Sequence, residues 1–314
     1  MSGARIVVVG GAHVDRRGRI FGDTRPGASN PGAWFEEAGG GGFNAARALA
    51  LLGHDVTMVS VAGGDSGAAL VEAAAARTGV TLNGFTFLDR QTPSYTAILE
   101  ADGNLVIALA DMGLYDLMTA RRLKVNWLRE TLEQADFILC DANLPGETIA
   151  MLAADASARA IPIAAIGISP AKIVRLIPAL PALDFVFMNE AEAATLAGPQ
   201  TDAHDWPKRL AERGLKGGAI TRGMKPALLW RDGAAVELAP PAVETIGDVT
   251  GAGDAFAAGA IDAFLADATV SDMIRQATAL ARLTVLSPLA VAENVNRQSL
   301  SEILALVPQP EMLD

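Results

Sequence analysis

At 314 residues, 51% hydrophobic and 19% charged, the chain can bury a large core, which excludes a mini-protein or a globally disordered segment. Its formal net charge of -11 would repel a phosphate backbone, so a nucleic-acid polymer is excluded as a partner. A single cysteine, Cys140, excludes an internal disulfide, and no run of roughly 18 apolar residues suits a membrane span, so a cytoplasmic protein without a membrane partner is expected.

The run IVVV at 6–9 reads as a buried strand, and FILC at 137–140, IPIAAI at 161–166 and DFVFM at 184–188 read likewise, alternating with Ala- and Leu-rich helical stretches. That alternation predicts an α/β fold, with a doubly wound, mainly parallel sheet flanked by helices, in one domain over 1–314. Ligands of such sheets gather outside the carboxyl ends of the strands, which singles out Asp15, Asp141, Asn143, Asn189 and Thr221. Two stretches break the alternation, at about 16–38 and 82–112. Both carry β-branched and aromatic residues and turn signals such as ADGN, and together they predict a small β-sheet lid beside the ligand edge. A β extension that serves a homodimer is the competing reading, and the two are compatible.

Several turns into helices carry polar groups. In AGGGGFNAARALALLG at 38–53, Asn44 stands at a helix mouth, able to donate and accept hydrogen bonds. In NEAE at 189–192, Asn189 and Glu192 lie one turn apart on one side of a helix, with Glu192 suited to ordering metal-bound water. AITRGMKPALL at 219–229 reads as strand, turn and strand, with Thr221 and Gly223 in a loop that can face a nucleotide. The strongest local signal is GDVTGAGDAFAAGA at 247–260. The free amides of Gly251, Ala252 and Gly253 at a helix start suit an anion, and Asp254 in the first turn suits a base aimed at the same place. Each segment alone has a blander reading: a glycine hinge, a hairpin or a structural helix start. Ser271 is the expected N-cap of a helix over 272–286. No GxxxxGK[ST] loop or GxGxxG fingerprint occurs, and the three histidines lack paired metal-ligand spacing.

Together, in this order and at these separations, the segments resemble the ribokinase-like (PfkB) carbohydrate and nucleoside kinase family over nearly the whole chain. The resemblance implies that Asp15, Gly39, Gly40 and Asn44 hold sugar hydroxyls and that Asn189 and Glu192 position magnesium (Mg2+) and phosphate. It further implies that Thr221 and Gly223 hold ATP, that Gly251, Ala252 and Gly253 form the anion hole, and that Asp254 is the catalytic base. The family also often binds a monovalent cation, potassium (K+), and Asp248 and Thr250 occupy the positions whose carbonyls would be its ligands. Within the family, RPGASNPG at 25–32, YTAILEADGNLVIALADMGLYDLMT at 95–119, DANLP at 141–145 and ISPAK at 168–172 look like pseudouridine kinases. On that likeness Ser29, Asn30 and Asp111 are expected lid acceptors for a nucleobase, and Lys172 a further substrate contact. Departures from the pattern are Gly41 and Gly42, which extend the glycine run to four, His13 in place of the usual Asn, and GIS at 167–169. The implied activity is ATP-dependent phosphorylation of the 5′-hydroxyl of a ribosyl substrate, pseudouridine before others. A sugar kinase and a nucleoside-binding sensor without turnover are the alternatives. The implied partners are a small nucleoside or sugar and a second copy of the chain, joined through the β lid.

Overall fold

Short Val- and Ile-rich runs are stable only when both faces are covered, and the computed structural model, which describes residues 3–199, 202–243 and 246–313, places them inside one large sheet. In chain order the strands are β1 (Arg5–Val9), β2 (His13–Ile20), β3 (Gly32–Gly39), β4 (Asp55–Gly63), β5 (Thr81–Phe87), β6 (Ser94–Leu99), β7 (Leu105–Asp111), β8 (Phe137–Asp141), β9 (Ile163–Ile166), β10 (Phe185–Asn189), β11 (Gly217–Thr221), β12 (Ala227–Arg231), β13 (Ala234–Leu238) and β14 (Glu311–Leu313). Ten of them line up as β14-β13-β12-β11-β10-β9-β8-β1-β4-β5. Pairing is parallel from β11 to β5 and antiparallel from β11 to β14.

Side chains alternate across β1. Ile6 and Val8 join Phe43, Leu49 and Phe256 in one core, while Val7 and Val9 join Tyr115, Ile149 and Leu152 in the other. The first core is closed by the helices Gly41–Leu51 and Ala252–Leu265. From β1 the chain winds outward through β4 to β5, then crosses to β8 on the other side of β1. The crevice outside the carboxyl ends of β1 and β8 is therefore the topological switch point, where an open α/β sheet leaves room for a ligand.

The remaining strands form a separate sheet, β3-β2-β6-β7, beside those ends. The expected second lid segment begins too early: β5 pairs in parallel with β4 in the large sheet, and Phe85 and Phe87 pack on its core. The helix of the C-terminal third runs over Val270–Val285 and is capped by Thr269, whose side chain accepts from the Asp272 amide at 3.2 Å. Thr269 replaces the expected Ser271 because its extended backbone already stands outside the helix.

Lid register decides which side chains can meet a ligand. Asp15 pairs with Glu37 on β3 and Tyr95 on β6, and Arg17 with Phe35 and Ala97, so these residues share the face turned toward the crevice. Asp111 pairs with Ser94, which pairs with Val14, and so lies on the opposite face. That outer face carries Trp34, Ile107 and Leu109 at 63%, 64% and 70% exposure.

Candidate active site

The switch point is built around Asp141, the last residue of β8. Its Oδ2 accepts from the amides of Gly11 (2.8 Å) and Gly42 (3.1 Å), and its Oδ1 from the Asn143 amide (2.9 Å). Burial raises the carboxyl pKa of Asp141, opposed by those amides. The four-glycine run passes between acids. A Cβ on Gly39 would run into Asp15, one on Gly42 would come within 2.8 Å of Asp141 Oδ2, and one on Gly41 within 3.0 Å of Asp254 Oδ1. Gly40 adopts a φ of 111°, a region that favours glycine. The extra glycines thus let the helix Gly41–Leu51 start against three carboxylates.

Asp254 enters from the opposite side. The helix Ala252–Leu265 is capped by Gly251 in the left-handed conformation, φ 78°, which aims its first amides at the crevice. Asn44 Nδ2 donates to Asp254 Oδ2 at 2.8 Å, and Asn44 Oδ1 accepts from the buried Arg47 guanidinium at 2.6 Å. Burial pushes the Asp254 pKa up to about 6; Asn44 works against the shift, while the charges of Asp141 and Asp15 add to it. Burial also draws Arg47 down to about 10, so the guanidinium remains a cation at neutral pH. Arg47 was invisible in the sequence as a site residue because it reads as part of an Ala-rich helix.

Across the crevice, Asp15 is held from behind. His13 Nε2 lies 3.2 Å from Asp15 Oδ1, and His13 Nδ1 lies 3.0 Å from the hydroxyl of buried Tyr115. A carboxylate can only accept, so in the neutral ring Nε2 carries the proton and Tyr115 donates to Nδ1. Burial keeps that phenol protonated by raising its pKa. The departure at His13 therefore has a structural role: it orients Asp15 over Gly39.

On the Thr221 side of the crevice lie two joined cavities. One, of about 240 Å³, is lined by Asn189, Glu192, Thr221, Gly253 and Asp254. The other, of about 350 Å³, is lined by apolar groups including Pro240, Val243, Ile246 and Val285, with Gly223 at its rim. They share Thr221, Gly253 and Phe256, so the amide-rich helix start separates an apolar slot from a polar one. Asn189 and Glu192 form a reciprocal cap: Asn189 Oδ1 accepts from the Glu192 amide (3.0 Å) and Glu192 Oε2 from the Asn189 amide (2.9 Å). Among the described residues Glu192 Oε1 has no hydrogen-bond partner, and burial raises the group's pKa. Among the described residues no group of three or more His, Cys, Asp or Glu could hold a metal ion directly; the polar cavity offers the Glu192 carboxylate, whose chemistry fits a hydrogen bond to a water of Mg2+. A larger groove of about 690 Å³, lined by Arg5, Thr57, Asn83 and Trp127, lies at the amino ends of β1 and β4 and contains none of these residues.

The sequence pattern of the pfkB family of carbohydrate kinases matches residues 4–296. The chain belongs to that family. A solved carbohydrate kinase from Agrobacterium tumefaciens is 52% identical, with a TM-score of 0.91 over 99% of this chain and 100% of that one. An uncharacterised sugar kinase of Escherichia coli, YeiI, is 31% identical over 96% of this chain and 83% of its own length. The pseudouridine kinase of Escherichia coli is 25% identical over 98% of both. The fold is the ribokinase-like one, and members of the family are phosphotransferases that act on hydroxyl groups.

Within this pfkB site the remaining expected contacts separate. Lys172 Nζ donates to Asn143 Oδ1 at 2.6 Å, and burial lowers its pKa while Asp141 supports its charge. Asn143 is buried beside Asp141, whose carboxyl its side chain helps to hold ionised. Asn30 is corrected as a nucleobase acceptor: its Oδ1 accepts from the Arg25 amide (2.8 Å) and its Nδ2 donates to the carbonyls of Arg25 and Ala28, so it ties its own loop. Asp111 is corrected for a different reason, since the period of two along β7 turns it to the outer face. Ser29 sits exposed in the loop between β2 and β3. Tyr95, beside Asp15 on the inner lid face, is a residue the sequence did not single out. The side chains of Asp248 and Thr250 brace the turn that carries the carbonyls expected to face a cation. Asp248 Oδ1 accepts from the Thr250 amide and hydroxyl, both at 2.9 Å, and its Oδ2 is paired with the Arg17 guanidinium.

Proposed function

We propose that this chain transfers the γ-phosphoryl group of MgATP to the 5′-hydroxyl of a ribosyl nucleoside, with pseudouridine the preferred acceptor. The observation that carries the reading is the Asn44–Asp254 pair at the seam between the nucleotide cavities and the lid acid Asp15. A carboxylate raised to about 6 and aimed beside helix-start amides is fitted to accept a hydroxyl proton as the oxygen attacks phosphorus. The amides of Gly251, Ala252 and Gly253 stabilise the charge that develops on the transferred group. Thr221 and Gly223 border the phosphates, and the slot lined by Pro240, Val243, Ile246 and Val285 holds the adenine. Mg2+ brought in with ATP would supply charge neutralisation. Asn189 and Glu192 order its water shell. Asp15 and Asn44 hold the ribose hydroxyls, with Gly39 and Gly40 providing the close approach, and Lys172 with Asn143 closes the rear of the site.

A nucleobase needs walls that a free sugar does not. Tyr95 and Phe35 on the inner lid face supply them, and Ser29 is the acceptor left for the N1–H that distinguishes pseudouridine from uridine. Ser29 is exposed in the free chain, so the discrimination requires the bound base to cover it; uridine would then leave a desolvated acceptor unpaired, a cost of about 1–3 kcal/mol, or roughly 5- to 150-fold in kcat/KM. The test is a kcat/KM comparison of pseudouridine, uridine and ribose. Equal values for the two nucleosides would remove the base contacts. Preference for ribose would establish the second reading, a sugar kinase, which the relative named as a sugar kinase favours.

We infer also that a second copy of this chain covers the outer lid face. Trp34, Ile107 and Leu109 stand on one face of a sheet whose edge strands β3 and β7 are free to pair, an arrangement that two copies can satisfy symmetrically. Leu109→Arg should convert a dimer to a monomer in sedimentation velocity. A wild-type chain that sediments as a monomer at micromolar concentration would reject the interface.

A further inference from the structure

The apolar slot has a charged rim. Among the described residues that line it, Arg222, Lys225 and Arg282 are cations and none is an acid, in a chain whose net charge is -11. Two of the three are committed to the protein's own backbone. Arg282 Nη1 donates to the carbonyls of Pro241 (2.9 Å) and Ala242 (2.8 Å), and Arg222 Nη1 to that of Pro226 (3.3 Å). Among the described residues the Lys225 ammonium has one partner, the carboxylate of Glu190, at 3.2 Å from Oε2 and 3.4 Å from Oε1.

Lys225 closes the turn between β11 and β12. Its amide donates to the Arg222 carbonyl at 3.2 Å, and Gly223 takes the left-handed φ of 63° that lets the chain reverse. Glu190 opens the helix Glu190–Ala197, whose first-turn amides favour a carboxylate, and Arg222 Nε lies 3.5 Å from its Oε1. The acid lines a second, open groove of about 590 Å³, which meets the slot at Thr221, Arg222 and Gly223. The lysine therefore lines the slot while its partner lines the groove next to it. Their side chains are 61% and 39% exposed, and an exposed ion pair contributes little, so the lysine can change partners at small cost.

We propose that Lys225 is a phosphate-binding residue of the donor site, parked on Glu190 until a nucleoside triphosphate takes it over. It follows the Thr221–Gly223 phosphate border by two residues and lines the same cavity as the amides of Ala252 and Gly253. A lysine ammonium is a point charge on a flexible stem, which suits a polyphosphate that must be gripped on entry and released after transfer. Arg222 remains on Glu190 and the Pro226 carbonyl and keeps the turn in place. Glu190 thus competes with the nucleotide for one cation, and the two side chains have opposite effects on donor affinity.

The inference rests on reading these cavities as the nucleotide site, and it is tested by binding without acceptor, so the acceptor's identity does not enter. Calorimetry with the magnesium complex of the β,γ-imido analogue of ATP compares wild type, Lys225→Met, Lys225→Arg and Glu190→Gln. Lys225→Met should raise Kd about tenfold or more, a loss that shrinks with added sodium chloride, and Lys225→Arg should stay within about threefold of wild type. Glu190→Gln should lower Kd by about two- to fivefold, because no acid then has to be displaced. Both side chains are exposed, so every variant should keep the wild-type Tm in the absence of ligand. A Glu190→Gln variant that fails to bind more tightly would mean that the pair only braces the turn, and the proposal falls. Wild-type affinity in Lys225→Met would equally remove the lysine from the phosphates. A wild-type chain that does not bind the analogue would overturn the nucleotide site itself, and the proposal with it.

Discussion

Asp254→Asn is expected to lower kcat by roughly 10²–10⁴-fold while the KM for the acceptor changes little, because the amide keeps the shape and the contact with Asn44 but cannot take the proton. The pH profile follows from the same group. With a pKa of about 6, raised chiefly by burial, Asp254 must be ionised to act, so kcat/KM of the wild type should rise with pH through about 6 and level off above it. Stability runs the other way. The folded-state pKa is above the ordinary aspartate value, so the contribution of this side chain to stability is full below about pH 4 and is lost as pH rises through about 6. Asp254→Asn should therefore melt higher than wild type at pH 8 and gain nothing below pH 4. A folded variant with near-normal turnover would remove Asp254 from catalysis, and a variant that melts lower at pH 8 would contradict the buried-charge argument.

The second large effect concerns the ribose. Asp15 Oδ1 is held toward His13 Nε2, and its other oxygen lies over Gly39 at the mouth of the crevice, where hydroxyls can reach it. Asn44 has one N–H left after its bond to Asp254. A site with buried acceptors rejects the analogue that lacks the hydroxyl by up to about 10⁴-fold, because the polar groups stay dry and unpaired. The 2′-deoxyribosyl nucleoside should fall toward that limit in kcat/KM. Asp15→Ala should bring the ribosyl substrate down to nearly the level of its deoxy analogue, erasing the discrimination. Comparable kcat/KM for the two substrates in the wild type would move Asp15 and Asn44 out of diol recognition.

Features held in short stretches of chain are legible in the sequence alone. The runs at 6–9, 137–140 and 184–188 are strands because nothing but a covered sheet satisfies them. The glycine turns before Asn44 and Asp254 start helices because left-handed or crowded backbone there requires glycine. Asn189 and Glu192 even form the cap that their spacing suggests. What escaped depends on pairing between distant segments. The outward turn of Asp111 follows from lid register, which a single strand does not encode. The segment at 82–87 has strand character in either sheet, and only its packing on β4 decides which one it joins. Arg17 reads locally as one of several exposed arginines in RRGR, and its two ion pairs come from acids brought to it by β3 and by the turn before Gly251. The apolar slot escaped because its walls, from Met224 to Val285, come from several separate stretches of the C-terminal third.

The most direct measurement is to incubate the purified chain with MgATP and pseudouridine and identify the product by phosphorus NMR and mass spectrometry. One ADP is expected for each pseudouridine monophosphate, with the phosphate coupled to the 5′ carbon. Phosphate on another oxygen, or no consumption of ATP with any ribosyl acceptor, would contradict it.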